Sequence, residues 1–252
     1  MNPPFFTIIT VVKNNVNTIE RTIKSVINQS FDNYEYLIID GNSNDGTEAI
    51  IQKYSTHNKI SVISENDLGI YFAMNKGVIK STGKFINLLN SDDYFKSTEV
   101  LDNYYTYSIN NNLDSNVVLF SNMNILKENI IILNLKPSIK YLKKNMRMNH
   151  PTWFVSNDVY NRIGHYNTQY KIAADYDFAM RCVKYNVKLV QIPSLTSINF
   201  ALGGASQSSI KIIRESYIVR SNYSLTTKFE NIFFLFLEVL DLLKWKVKEY
   251  IK

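Results

Sequence analysis

The sequence predicts an α/β protein with a doubly wound, largely parallel sheet and helices on both faces. Short β-branched apolar runs alternate with helical segments over residues 5–90, and polar residues gather directly after the runs. The 252 residues are 45% hydrophobic and 20% charged, an ordinary globular composition. That composition excludes disordered, collagen-like and coiled-coil proteins.

The first two predicted strands enclose the first predicted helix. Phe6–Val12 is a nearly continuous apolar run, as expected of a strand buried on both faces. Asn17–Asn28 places apolar residues at helical spacing, and Tyr36–Asp40 is a second apolar strand that ends in a carboxylate. The loop 41–47 is dense in turn residues and leads into the next helix.

The same alternation continues through two more strands. Thr47–Tyr54 and Tyr71–Lys80 have helical patterns, while Ile60–Ile63 and Lys84–Leu89 have strand patterns. The order β-α-β-α-β-α-β indicates a parallel sheet. Because ligands of such sheets bind at the carboxyl ends of the strands, the residues just after each strand are the candidate site.

The second half of the sequence is less regular. Val117–Ser121, Ile130–Leu133 and Lys188–Ile192 have strand patterns, and Asp177–Tyr185 has a helical one. Residues 221–252 are expected to form a helical tail.

Charge and targeting signals narrow the class of partner and the location. Lys plus Arg number 28 and Asp plus Glu 22, and the resulting charge of +6 suits a partner that carries phosphates. The basic residues are dispersed and no nucleic-acid motif is present, which argues against DNA or RNA as a partner.

The single Cys182 excludes an internal disulfide and is typical of a reduced intracellular thiol. Without a secretion signal or a run of 18 apolar residues, we expect a cytoplasmic protein, with peripheral contact to the inner face of the membrane left open.

Acidic residues follow the strands in three places. Asp40 closes the second strand, and Asp92 and Asp93 follow the fourth. Two adjacent carboxylates repel each other, so a sugar hydroxyl or a hard cation such as Mg²⁺ or Mn²⁺ would stabilise them, although such pairs also occur in ordinary turns. The third cluster contains Asp175 and Asp177, which cannot share a helix face.

These segments together resemble a known family. The first strand, the stretch 40–47 and Asn90-Ser91-Asp92-Asp93 resemble family 2 glycosyltransferases, which are inverting enzymes with the GT-A fold. The stretch 64–77 is similar to the subgroup that builds bacterial surface polysaccharides such as O-antigen and colanic acid. The resemblance covers about residues 5–220 and extends to three further motifs: His150-Pro151-Thr152, Ala174-Asp175-Tyr176-Asp177 and Leu202-Gly203-Gly204-Ala205-Ser206.

The resemblance implies a nucleotide-sugar donor, most often a UDP-sugar in this family. Thr10, Val11 and Asp40 would hold the nucleotide base, and Asp67 would belong to the same pocket. Asp92 would lie near the ribose or the donor sugar. The acceptor implied is a glycan hydroxyl, carried on a polyprenyl diphosphate.

The resemblance also implies a metal ligand and a base. Asp93, as the last acid of the DXD-type motif, would bind Mn²⁺ or Mg²⁺, and a metal there would neutralise the departing diphosphate. Asp175 corresponds to the general base, and we expect it to be ionised without special tuning. Asp177 is expected to pair with Arg181, and His150 is either a loop residue or a contact to diphosphate or acceptor.

The domain organisation follows from these roles. We expect residues 1–115 to form the nucleotide-sugar half of the GT-A domain, residues 116–220 the acceptor half, and residues 221–252 the tail. In the tail, Phe and Leu dominate from Ile232, with Glu238 among the residues of a polar face and lysines at the end. A helix of this composition either lies on a membrane surface, over residues 231–252, or packs on protein.

Two rival functions remain. A nucleotidyltransferase also uses an α/β nucleotide domain and Mg²⁺, but it needs a Gly-rich loop after the first strand, and Thr10–Asn15 contains no Gly. A non-catalytic sugar-nucleotide-binding protein would not need Asp93 and Asp175 together.

Overall fold

A nine-stranded mixed sheet with helices against both faces organises the part of the chain described by this computed structural model. The described residues are 3–142, 144, 146, 148–201, 210–223 and 226–250. This α/β architecture confirms the predicted fold class.

The first four strands form the predicted parallel unit, in the spatial order β3-β2-β1-β4. Its elements are β1 (Phe6–Val12), α1 (Ile19–Ile27), β2 (Tyr34–Asp40), α2 (Thr47–Gln52), β3 (Ile60–Ser64), α3 (Ile70–Lys80) and β4 (Phe85–Leu88). Every predicted element of this half is present, with boundaries that differ by a few residues. The carboxyl ends of β1, β2 and β4 therefore share one edge of the sheet.

The second half extends the sheet in the order β4-β8-β6-β9-β5, with β7 paired to β6. Its elements are β5 (Tyr94–Phe95), α4 (Val100–Asn110), β6 (Val117–Lys127), β7 (Ile130–Leu135), β8 (Phe154–Ser156), α5 (Asn157–Ile163), α6 (Ala174–Lys184), β9 (Lys188–Ala201), α7 (Ile210–Tyr223) and α8 (Lys228–Tyr250). Here β8 runs antiparallel to both β4 and β6, whereas β6 and β9 are parallel.

The sequence patterns missed several elements of this half. Helix α4 is rich in Tyr and Asn, which are weak helix formers, and it buries Val100, Leu101 and Tyr104 on one side. Strands β5 and β8 are two and three residues long, too short to show a period of two. The expected single helical tail from residue 221 is instead two helices, and the first of them already spans Ile210–Tyr223.

The two faces of the sheet carry separate apolar layers. Residues of α3, α5 and α6 pack on one face, and residues of α1, α2 and α4 pack on the other. Helix α3 lies very close to β1, since a Cβ on Gly77 would stand 2.5 Å from Cγ2 of Ile9. This close packing brings the amino end of α3 to the sheet edge where β1 and β2 end.

Helices α7 and α8 form a hairpin around a buried arginine. Arg220 is fully buried and its guanidinium donates to Glu238 (2.9 Å), to the Asn231 side chain (2.8 Å) and to the Lys144 carbonyl (2.6 Å). Glu238 therefore faces inward, toward the guanidinium, whereas the sequence groups it with other charged residues roughly on one face of the tail. Within the described residues, no helix combines the length and apolar character needed to cross a membrane.

Candidate active site

A cavity of about 420 Å³ opens at the carboxyl edge of the parallel strands. Its wall is built from residues that follow β1, β2, β3 and β4, from the start of α3, and from the segment that leads into α6. The volume lies in the range of small-molecule sites, and the position is where an open parallel sheet binds ligands. The site was expected at this edge.

Asp175 reaches the cavity from the first turn of α6. Its side chain is 20% exposed, and Oδ1 accepts a hydrogen bond from the Tyr176 backbone N–H at 2.8 Å. Burial raises the pKa of this carboxyl to about 6. The sequence instead predicts a carboxylate with an ordinary, unshifted pKa. A carboxylate with a pKa near the working pH suits a general base.

His150 lines the same cavity as the two acids Asp92 and Asp175. Its Nδ1 lies 3.8 Å from Oδ2 of Asp175, and burial lowers the pKa of the imidazole to about 4 despite the opposing charge of Asp92. The ring is therefore neutral at neutral pH. Its Nε2 is buried without a protein partner among the described residues. This placement favours a ligand contact over the loop role that the sequence left open.

The adjacent acids Asp92 and Asp93 occupy different environments. Asp92 lines the cavity, and burial raises the pKa of its carboxyl. Asp93 is fully buried off the cavity wall and accepts hydrogen bonds from the Asn90 amide (3.2 Å) and the Ala201 backbone N–H (3.4 Å). Burial also raises the pKa of Asp93 well above its usual range. The carboxyl group of Asp93 thus ties the loop after β4 to the end of β9, and Asp92 is the acid that a cation in the cavity would meet.

The predicted nucleotide pocket is only partly assembled at the cavity wall. Val11 and Asp67 line it, and Oδ1 of Asp67 accepts a 2.6 Å bond from Lys76, while its Oδ2 is buried without a protein partner in the described structure. Asp40 lies behind the wall, where it accepts the hydroxyls of Ser43 and Ser64 at 2.5 and 2.7 Å. Thr10 also lies behind the wall.

Thr10 accepts its hydrogen bond from Tyr36, at 3.0 Å, and is fully buried. Asp40 precedes Gly41, which does line the cavity, so both residues shape the wall without reaching the space. A direct contact of either with a nucleotide base stays a prediction.

Asp177 points away from Asp175, as their spacing predicted. It accepts a 3.0 Å bond from Arg181 one turn later and a 2.7 Å bond from the Tyr223 hydroxyl of α7. The expected Asp177–Arg181 pair is confirmed, and Asp177 joins α6 to α7.

Other residues of the wall were not selected from the sequence. Lys13 follows β1 directly, so its position at the carboxyl edge was a usable signal. Tyr71, Lys171 and Phe200 also line the cavity, but they come from helix, loop and late strand, and only the tertiary fold brings them together. Gly203 and Gly204, for which the sequence leaves a phosphate cradle or a plain turn equally open, lie outside the described residues.

The wall is compatible with a divalent cation. No group of three or more His, Cys, Asp or Glu side chains that could hold a metal occurs within the described ranges. Magnesium sites that handle phosphates use one or two carboxylates together with the phosphates of the substrate. The partly buried, cavity-lining carboxylate of Asp92 fits a cation that binds together with a diphosphate.

Comparison with known proteins gives a consistent family match. Residues 7–201 match the model described as Glycosyl transferase family 2. A PGL/p-HBAD biosynthesis glycosyltransferase of Mycobacterium tuberculosis is 26% identical over 184 residues, covering 72% of this chain and 71% of the relative. The putative teichuronic acid biosynthesis glycosyltransferase TuaG of Bacillus subtilis is 34% identical over 99 residues, 38% of this chain and 39% of TuaG.

Solved structures share the fold. The S. aureus TarS fragment 1–349 in complex with UDP-GlcNAc superposes with a TM-score of 0.69 at 18% identity, over 89% of this chain and 69% of that one. The mannosyltransferase PcManGT from Pyrobaculum calidifontis, in complex with GDP-Man and Mn²⁺, gives a TM-score of 0.61 at 16% identity, over 88% and 62% of the two chains.

Proposed function

The chain belongs to glycosyl transferase family 2, and on that basis we propose that it moves a sugar from a nucleotide-sugar to a hydroxyl of a glycan acceptor with inversion at the anomeric carbon. The observation that carries this proposal is the cavity that Asp92 and Asp175 share with His150. Inversion needs a leaving-group site and a base on opposite sides of the sugar, and these two acids come from separate halves of the chain.

The donor is expected to lie along the end of the parallel strands. In this arrangement Val11 and Asp67 contact the nucleoside, and the free oxygen of Asp67 offers an acceptor for a base N–H. Lys13 brings positive charge to the same wall. The proposed nucleotide is UDP, which agrees with the UDP-GlcNAc complex of the TarS fragment.

The chemical step is a single displacement. The acceptor oxygen forms a bond to the anomeric carbon as the bond from that carbon to the diphosphate oxygen breaks, and the diphosphate leaves with the electron pair. Asp175 takes the hydroxyl proton, and a pKa of about 6 leaves most of this carboxylate ready to accept it at neutral pH. A Mn²⁺ or Mg²⁺ ion held by Asp92 would supply neutralising charge to the diphosphate. Neutral His150 is placed to hydrogen-bond the donor or the acceptor.

The proposed pathway is the synthesis of a bacterial surface polysaccharide, on a lipid-linked acceptor at the inner face of the membrane. The similarity to TuaG, named for teichuronic acid biosynthesis, supports a cell-surface glycan.

A donor panel tests this function. The purified chain is incubated with UDP-, GDP- and dTDP-sugars, with and without Mn²⁺, and nucleoside diphosphate release is followed. We expect metal-stimulated release from one nucleotide class, with Asp175→Asn as the inactive control that still binds. Pyrophosphate release from a nucleoside triphosphate and a sugar phosphate would instead favour the nucleotidyltransferase. Binding without any turnover, in the presence of acceptor glycans, would favour the non-catalytic alternative.

Helix α8 presents a row of aromatic side chains that supports the proposed membrane contact. Phe229, Phe233 and Phe236 follow helical spacing and are 81%, 49% and 58% exposed. The sequence adds Lys244, Lys246 and Lys248 beyond this row. Aromatic bulk followed by lysines is typical of a helix that lies on an anionic lipid surface.

Point substitutions test this contact better than truncation. Removal of α8 would take Asn231 and Glu238 away from the buried Arg220, and such a loss costs about 3–5 kcal/mol of folding stability. The double variant Phe229→Ser/Phe236→Ser leaves that pair intact. We expect it to lower sedimentation with phosphatidylglycerol vesicles about tenfold or more, because two phenyl groups lose their apolar contact.

The control replaces an exposed apolar residue elsewhere, Ile109→Ser on α4, which is 50% exposed. That variant should bind vesicles as the parent chain does. Equal vesicle binding by the double variant and the control contradicts the membrane role. A double variant with a smaller mass in solution than the parent would show that the row packs on another copy of the chain.

A further inference from the structure

A side chain of α7 holds the segment that leads into α6. The backbone N–H groups of Lys171, Ile172 and Ala173 all donate to the carboxylate of Glu215, at distances between 2.9 and 3.1 Å. These residues stand just before α6, whose first turn carries Asp175. One carboxylate therefore fixes three consecutive peptide groups next to the proposed base.

The same segment is held from its other side by α3. The Tyr71 hydroxyl donates to the carbonyl of Ile172 at 2.5 Å, and both Tyr71 and Ile172 line the cavity. The segment thus has its N–H groups bound by α7 and a carbonyl bound by α3. Asp175 lies two residues past the last of these contacts.

Charge makes the Glu215 contact strong and specific. Hydrogen bonds to an ionised acceptor are about twice as strong as neutral ones, and a negative charge ahead of a helix is favoured by the helix dipole. Glutamine at this position would present an NH₂ group to at least one of the three N–H donors. The geometry is therefore matched to a carboxylate.

We propose that Glu215 is a positioning residue, which sets the orientation of Asp175 toward the acceptor hydroxyl by clamping the segment 171–173. The proposal rests on the proposed role of Asp175 as base. It assigns a catalytic contribution to α7, which lies beyond the segment matched by the family model.

Asp177 provides a matched control for simple helix packing. It is also a carboxylate that links α6 to α7, through the Tyr223 hydroxyl, and its side chain bonds Arg181 and Tyr223. Its only bond to the segment 171–173 in the described structure is the helical one from its backbone N–H to the Ala173 carbonyl (2.9 Å), which Asp177→Asn retains. If α6–α7 packing alone mattered, Asp177→Asn and Glu215→Gln would have similar kinetic effects. If Glu215 positions the base, only Glu215→Gln changes the chemical step.

The experiment measures kcat at saturating donor and acceptor, the Kd of the nucleoside diphosphate, and the melting temperature for both variants. We expect Glu215→Gln to lower kcat by about 10- to 10²-fold, the usual effect of a small misplacement of a reacting group, with an unchanged nucleotide Kd. Asp177→Asn should lower the melting temperature and keep kcat near the parent value. Unchanged kcat in Glu215→Gln, or the same loss in both variants, overturns the proposal.

Amide hydrogen exchange gives a second test that does not need turnover. In the parent chain the amides of residues 171–173 should be protected, and Glu215→Gln should speed their exchange more than that of α6. Rapid exchange in the parent chain would contradict the clamp whatever the reaction is. If Glu215→Gln does not fold, Glu215→Asp replaces it, because aspartate keeps the charge on a shorter side chain. The proposal then requires that Glu215→Asp lowers kcat and leaves the nucleotide Kd unchanged.

Discussion

Asp175→Asn is expected to lower kcat by about 10²–10⁴-fold, the usual contribution of a positioned base, and to leave donor binding intact. Asparagine keeps the size of the side chain but cannot accept the hydroxyl proton. The nucleotide contacts lie on the strand side of the cavity, so the Kd for the nucleoside diphosphate should not change. The measurement is kcat together with calorimetric nucleotide binding, each with a circular dichroism check of the fold.

The pH profile adds a second signature for the same residue. Since burial raises the pKa of Asp175 to about 6, the carboxylate is lost as pH falls through that value. In the parent chain kcat/KM should therefore fall about tenfold per pH unit below 6 and level off above it. A profile that is flat between pH 5 and 7, or near-parent kcat in Asp175→Asn, would move the base to another group.

Asp92→Asn is expected to have the second largest effect, by removing the carboxylate that a cation in the cavity would meet. Metal ions contribute several kcal/mol of charge stabilisation in such reactions, so turnover should fall by about 10²-fold or more. Mn²⁺-dependent binding of the nucleoside diphosphate should weaken in the same variant. Calorimetry with and without Mn²⁺ measures both.

The variant Asp93→Asn distinguishes Asp92, the metal ligand proposed from the structure, from Asp93, the ligand expected from the sequence. Asp93 is buried and bonded to Asn90 and Ala201, so its substitution should lower the melting temperature and retain metal-dependent binding. The DXD-type motif predicted the opposite result. If Asp93→Asn abolishes Mn²⁺-dependent binding while Asp92→Asn preserves it, Asp93 is the ligand after all.

The parallel half of the fold could be predicted because its strands are buried on both faces. Every residue of β1 is buried, so the strand shows as an unbroken apolar run. Helix α4 could not be predicted in this way, since packing of Tyr104 and its neighbours, and not intrinsic propensity, makes it helical. Sequence patterns thus identify a strand that is buried along its whole length, but not a helix that depends on packing against distant residues.

The site was predictable in its location but not in its details. The carboxyl edge of the sheet follows from the strand order alone, whereas the choice between Asp92 and Asp93 depends on side-chain direction. Residues 90–93 form a turn, closed by the Asp93 backbone N–H on the Asn90 carbonyl at 3.1 Å. Within this turn Asp92 faces the cavity and Asp93 faces the core, and the sequence does not show which of two adjacent acids takes which direction. Glu215 was missed because its three partners lie 42 to 44 residues away in the chain, and no local pattern records such a contact.

The buried Arg220 also sets an order for folding during synthesis. The parallel strands β1–β4 use only residues 6–88, so that half can fold while translation continues. Arg220 cannot be neutralised until the ribosome has made Glu238, in the last helix of the described chain. The hairpin that packs beside Asp175 and Glu215 is therefore completed late, and until Glu238 is available the Arg220 guanidinium has to stay in water instead of entering the core.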